Sequence, residues 1–121
     1  MSFKVLIAED EEVMRFMLTD FLENFDYEIL QAENGQQAYD IWKNEKCDIL
    51  ITDINMPKMN GIELLKNIKN EDKNFPVIVI TGVSVETAKL NASDNGADAF
   101  LVKPFKMKQL VEQLDKLLYT K

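Results

Sequence analysis

Short apolar runs alternate along this chain with longer stretches in which apolar residues recur at three- and four-residue spacing. The runs are rich in valine, isoleucine and leucine, as strands buried on both faces of a parallel sheet are. They fall at residues 3–8, 27–32, 47–53, 75–81 and 99–103. The stretches between them have the period of amphipathic helices. In residues 13–25, Met14, Met17, Leu18, Phe21, Leu22 and Phe25 share one predicted face, with Glu11 and Glu12 at its positive N-terminal end. Asn34-Gly35 reads as a turn, and residues 36–44 then direct Ala38, Ile41 and Trp42 inward. Asn60 and Glu63 have capping-box spacing and start a helix through Leu64, Leu65 and Ile68. Ser84 can cap a fourth helix that stops at Gly96, and its weak apolar face (Val85, Ala88, Leu90, Ala92) predicts the least firmly docked helix. The last helix, 107–119, is strongly amphipathic through Met107, Leu110, Val111, Leu114, Leu117 and Leu118.

Strand and helix thus alternate five times. That pattern predicts an α/β fold: a five-stranded parallel sheet with helices on both faces, doubly wound as (βα)5. With 121 residues, the expectation is one domain over 1–121. A hydrophobic content of 46% and a charged content of 29% are those of a globular protein with a real core. The formal charge of −7 argues against a nucleic-acid surface. No apolar run approaches the roughly 18 residues of a membrane span, and no signal-peptide pattern precedes Glu9, so a cytoplasmic location is expected. Cys47 is the only cysteine; it cannot form an internal disulfide and reads as a small buried hydrophobe. The absence of histidine excludes imidazole catalysis and histidine-ligated metals.

The polar residues that close the strands carry the candidate chemistry. Glu9 and Asp10 end the first, Asp53 the third, Thr81 the fourth and Lys103-Pro104 the fifth, while Pro57 forbids the third from continuing. In a doubly wound sheet these ends share one rim. Singly, each has a plain reading: an aspartate after a strand is a turn former, Thr81-Gly82 is a turn, and Lys103 is a solvated lysine. At one rim they make a different case. Carboxylates from different strands repel unless a cation joins them, and an all-oxygen ligand set suits Mg²⁺. A lysine adds a second, movable positive charge, and a threonine hydroxyl adds a donor.

The set Glu9-Asp10, Asp53-Ile54-Asn55-Met56-Pro57, Asn60-Gly61, Thr81-Gly82 and Lys103-Pro104-Phe105 resembles the response-regulator receiver domains of two-component signalling, and the resemblance is CheY-like in length. It implies that Asp53 is the phosphoacceptor, and that Glu9, Asp10, Asp53 and the backbone carbonyl of Asn55 hold Mg²⁺. It implies that Thr81 and Lys103 contact the phosphoryl group, that Phe100 is the switch aromatic, and that Lys103-Pro104 is cis. The implied phosphodonor is a bacterial sensor histidine kinase or histidine phosphotransfer protein. The implied output surface is the helix between the fourth and fifth strands, the fifth strand and the last helix, acting on an unspecified effector. Such a domain is a switch rather than an enzyme, catalysing only its own phosphotransfer and autodephosphorylation.

Two departures carry expectations. Phe100 lacks a tyrosine hydroxyl, so it can rotate inward without hydrogen-bonding a partner. Val83 is apolar and cannot orient water, which predicts slow loss of the phosphoryl group. Family members that dimerise through the output face and bind DNA carry an acid where Ala99 stands and arginine in the last helix; residues 107–121 hold no arginine, so a monomer without direct nucleic-acid or membrane contact is expected. No length is left for an output domain, which predicts a stand-alone regulator or a segment cut from a longer chain. Phe16 falls off the buried stripe, as either partly covered core or an exposed anchor for the phosphodonor's helical bundle. Three other readings compete. A haloacid-dehalogenase-like phosphatase needs a titratable carboxylate two residues after its nucleophile, where Asn55 stands. A flavodoxin-like flavin binder needs a phosphate cradle where Glu9 to Glu12 stand. A degenerate docking module would have no use for the intact acids, Thr81 and Lys103.

Overall fold

The computed structural model describes residues 2–82 and 92–119. The elements run β1 (Lys4–Ala8), α1 (Glu12–Glu23), β2 (Glu28–Ala32), α2 (Gly35–Asn44), β3 (Ile49–Asp53), α3 (Gly61–Glu71), β4 (Val77–Thr81), β5 (Ala99–Val102) and α4 (Met107–Tyr119). Val83, Ser84 and most of the helix expected after them lie outside the described residues. Its last turn is present at Ala92–Asp94 and closes as a Schellman motif: Ala97 N–H donates to Ala92 O at 2.9 Å and Gly96 N–H to Ser93 O at 3.0 Å, with Gly96 at φ +94°.

All strands are parallel, in the order β2-β1-β3-β4-β5. Two of the three inner strands, β3 and β4, are buried at every position, as their unbroken Ile/Leu/Val runs require. The edge strands β2 and β5 are only partly buried. Alternate strand residues feed two cores. Val5, Ile7, Ile49, Ile51, Ile78 and Ile80 pack with Leu18 and Leu22 of α1 and Leu110, Leu114 and Leu118 of α4. Leu6, Leu50, Val77 and Val79 pack on the opposite face with Ala38 of α2 and Leu64, Leu65 and Ile68 of α3. Cys47 is half-buried against this second core, and burial pushes its thiol up to about 11, which keeps it protonated and inert.

One helix face differs from the expected one. Met17 and Phe25 are 50% and 51% exposed, although the periodicity put both on the buried stripe of α1. The buried arc centres on Leu18 and Leu22, and Met17 lies about 120° from that centre on a helix of 3.6 residues per turn. The helix also stops at Glu23, where Tyr27 N–H returns to Leu22 O and Asp26 takes φ +66°, so Phe25 falls beyond the stripe. Thr19 is buried instead.

Candidate functional site

β1, β3, β4 and β5 all point their carboxyl ends to one rim, and β1 and β3 are the neighbours between which the chain order reverses. Register fixes the spacing there: Ala8 pairs with Thr52, Asp53 with Ile80, and Thr81 with Val102. Glu9, Asp53 and Thr81 are therefore carried into the interior of the rim, at 2%, 7% and 1% exposure, while Asp10 stays exposed. The carboxylates of Glu9, Asp10 and Asp53 offer oxygens that all lie within 4.8 Å of one another. Three hard anionic ligands so close fit a small divalent cation that keeps part of its hydration shell.

Lys103 follows β5 and closes the cluster. Its Nζ donates to Asp53 Oδ2 at 2.9 Å and to Glu9 Oε1 at 3.0 Å. The Lys103-Pro104 bond is cis, as expected, and Lys103 N–H donates to Thr81 O at 2.7 Å, which ties β5 to the end of β4. Burial alone would lower the Lys103 pKa, but its bonds to Asp53 and Glu9 raise it, so the ammonium stays charged. Burial dominates at Glu9 and raises its carboxyl to about 7, against the pull of Lys103 and the Glu11 N–H; the Asp53 charge adds to the rise.

The β3–α3 loop follows Asp53. Ile54 N–H donates to Ile80 O at 3.1 Å, Asn55 N–H to Asp53 Oδ1 at 3.3 Å, and Gly61 N–H back to Ile54 O at 2.8 Å. Pro57 is exposed, Lys58 takes φ +68°, and Met59 N–H reaches Pro57 O in a γ-turn. The expected capping box is present: Asn60 Oδ1 accepts from Ile62 and Glu63 N–H, and Glu63 returns to Asn60 N–H. Gly61 is required by proximity, since a Cβ there would sit 2.0 Å from Asp53 O. Phe100 is half-buried, packed against the α2/α3-side core on the sheet face that carries Val79.

Two contributors were not singled out from sequence. Arg15 Nη1 donates to Glu9 O at 2.8 Å; the available signal was that this sole arginine falls one helical turn after the acids. Gly35 reads as a turn residue, but here it opens α2 and faces the backbone of Met59.

A family model for the response regulator receiver domain matches residues 5–115. The chain is 39% identical over 118 residues to the chemotaxis protein CheY of Thermotoga maritima, covering 97% of this chain and 98% of that one. It is 34% identical to the transcriptional regulatory protein SrrA of Staphylococcus aureus, covering 98% of this chain but 48% of that longer protein. Among solved structures, the chemotaxis response regulator CheY4 of Vibrio cholerae superposes with a TM-score of 0.89 at 30% identity, over 98% of this chain and all of that one. The sheet order, the acids at its rim and these likenesses agree: the chain belongs to the response-regulator receiver domains of two-component signalling.

Proposed function

We propose that Asp53 accepts a phosphoryl group from a histidine kinase or histidine phosphotransfer protein, and that the change of charge there switches the surface around β5 and α4. The observation that carries this reading is Lys103, whose ammonium bridges Glu9 and Asp53 inside a cluster of three carboxylates. Glu9, Asp10, Asp53 and the Asn55 carbonyl would hold Mg²⁺. Bound there, the ion neutralises charge on the phosphoryl oxygens. An Asp53 carboxylate oxygen attacks phosphorus in line; the P–N bond of the phosphohistidine breaks, and its electron pair returns to the imidazole nitrogen. The product is an acyl phosphate on Asp53. Lys103, already bonded to Asp53 Oδ2, follows the new charge on the equatorial oxygens and leaves Glu9.

The acyl phosphate carries about −1.5 to −2 charge where the Asp53 carboxylate carried −1, and this charge stands farther out, on the phosphoryl oxygens, where it re-aims the Thr81 hydroxyl and Lys103. Thr81 and Phe100 lie on the adjacent strands β4 and β5, so a shift at one bears on the other. Phe16, 67% exposed on α1, belongs to the surface that receives the phosphodonor. Mass spectrometry of the intact protein after incubation with Mg²⁺ and acetyl phosphate tests the assignment. One phosphoryl group is expected on the wild type and none on Asp53→Asn; undiminished labelling of the variant removes Asp53 from the role.

A further inference from the structure

We infer that Gly35, on a different element from every residue named in that reaction, is a positioning residue for it: the N-terminus of α2 is the backstop that holds the β3–α3 loop against the phosphoacceptor. The inference rests on the proposed Mg²⁺ site, because the loop in question supplies the Asn55 carbonyl.

The argument starts from distance. A Cβ built on Gly35 would lie 1.8 Å from Met59 O, 2.6 Å from Met59 C and 2.7 Å from Met59 Cβ. Real Cβ atoms essentially never come within 3.0 Å of such neighbours, so any side chain here moves the Met59 peptide by more than about 1 Å. Gly35 does not have positive φ. Its missing side chain therefore serves close approach, not backbone conformation.

What it approaches is a short, closed loop. Gly61 N–H bonds to Ile54 O, so the segment from 54 to 61 is pinned at its neck. Inside it, the γ-turn at Lys58 is followed directly by Met59, whose carbonyl meets Gly35 at the start of α2. Gly61 presses on one end of this loop, at Asp53 O, and Gly35 presses on Met59 near the other. A push at Met59 is transmitted to Asn55 because the neck cannot open without losing the Gly61–Ile54 bond.

The same corner reaches the other half of the site. Ala32, the last residue of β2, accepts a hydrogen bond from Glu9 N–H at 3.0 Å. Asn34 Oδ1 caps α2 through Gln37 N–H at 2.8 Å, and Gln37 Oε1 accepts from Glu33 N–H at 2.6 Å. Residues 32–35 are thus a braced abutment between the loop that presents Glu9 and Asp10 and the loop that presents Asn55. They set how far apart the two halves of the ligand set stand.

The test compares Mg²⁺ affinity by calorimetry, backbone amide shifts, and labelling by acetyl phosphate. Gly35→Ala should weaken Mg²⁺ binding at least tenfold and slow labelling by a similar factor at fixed Mg²⁺. Its amide shifts should change at Asn55 and Met59. Asn34→Ala, which loosens the first turn of α2 without adding an atom, should weaken Mg²⁺ a few-fold, and it keeps the test open if Gly35→Ala does not fold. Ile68→Val, buried in α3 about two turns beyond its capped N-terminus, supplies a destabilised control and should bind Mg²⁺ as the wild type does. Wild-type affinity in every corner variant that folds overturns the inference, as does equal weakening in Ile68→Val. A wild type that neither binds Mg²⁺ nor labels instead refutes the proposed metal and phosphoacceptor roles, a separate outcome.

Discussion

Glu9 is the residue at which burial and charge compete most sharply. It is 2% exposed, hydrogen-bonded to Lys103 and the Glu11 N–H, and faces the Asp53 carboxylate. Desolvation prevails and its carboxyl titrates near 7, above the 4.5 of an unfolded chain. Between those values the folded protein holds a proton that the unfolded chain has released. The stability Glu9 contributes is therefore fully present below about pH 4.5 and lost as pH rises through about 7. Glu9→Gln removes that titration. In the absence of divalent metal, urea midpoints should diverge in the variant's favour between pH 5 and about pH 8, reaching on the order of 2 kcal/mol. A difference that stays flat with pH contradicts the assignment. That Glu9 stands at the rim was legible, because the apolar run of β1 stops there. Its burial was not, since sequence does not reveal that the rim folds over one of two adjacent acids and leaves Asp10 outside.

At the scale of elements, strands were easier to read than helix faces. A strand buried on both sides needs no face to be chosen, so β3 and β4 are visible as unbroken runs. On α1, apolar residues cover more than one face, and periodicity alone cannot say which one meets the sheet. The outcome leaves Val13, Phe16 and Met17 at 66%, 67% and 50% exposure, at the spacing of neighbours on the first turns after Asp10. An exposed phenylalanine contributes little to folding, whereas a large exposed aromatic six residues after Asp10 suits an anchor for the proposed macromolecular donor. Phe16→Ala should shift the urea midpoint by less than about 0.5 kcal/mol. It should slow transfer from a phosphorylated kinase or phosphotransfer domain at least several-fold, with labelling by acetyl phosphate unchanged. Equal slowing with both donors would place Phe16 in the chemistry, and no slowing with either would remove it from the interface.

The whole molecule brings together residues that are far apart in the chain. Lys103 is 94 residues from Glu9 and 50 from Asp53, yet bonds to both. Spacing could place each at a strand end, but not show that one ammonium would join the other two. This bridge ties the fold's last strand to its first and third, in a chain of formal charge −7. Removing Lys103 therefore acts on folding and on the site together. Lys103→Gln leaves two buried carboxylates without their cation, and breaking a fully buried pair costs about 3–5 kcal/mol. Here the lysine side chain keeps 19% exposure, so a loss on the order of 2 kcal/mol is expected without metal. Mg²⁺ should then stabilise the variant more than the wild type, because the competing ammonium is gone and the ligands are anionic. Ligand linkage gives about 2.7 kcal/mol at a hundred times Kd, so a several-fold tighter Kd is measurable as a larger rise in melting temperature at equal Mg²⁺. Labelling by acetyl phosphate should nonetheless fall if Lys103 serves the phosphoryl oxygens as proposed, since that charge is then missing. Tighter metal with slower transfer separates the two tasks of the cluster: the acids gather the cation, and the lysine serves the transition state. Equal Mg²⁺ stabilisation of both proteins would mean that the ammonium and the metal do not share these carboxylates.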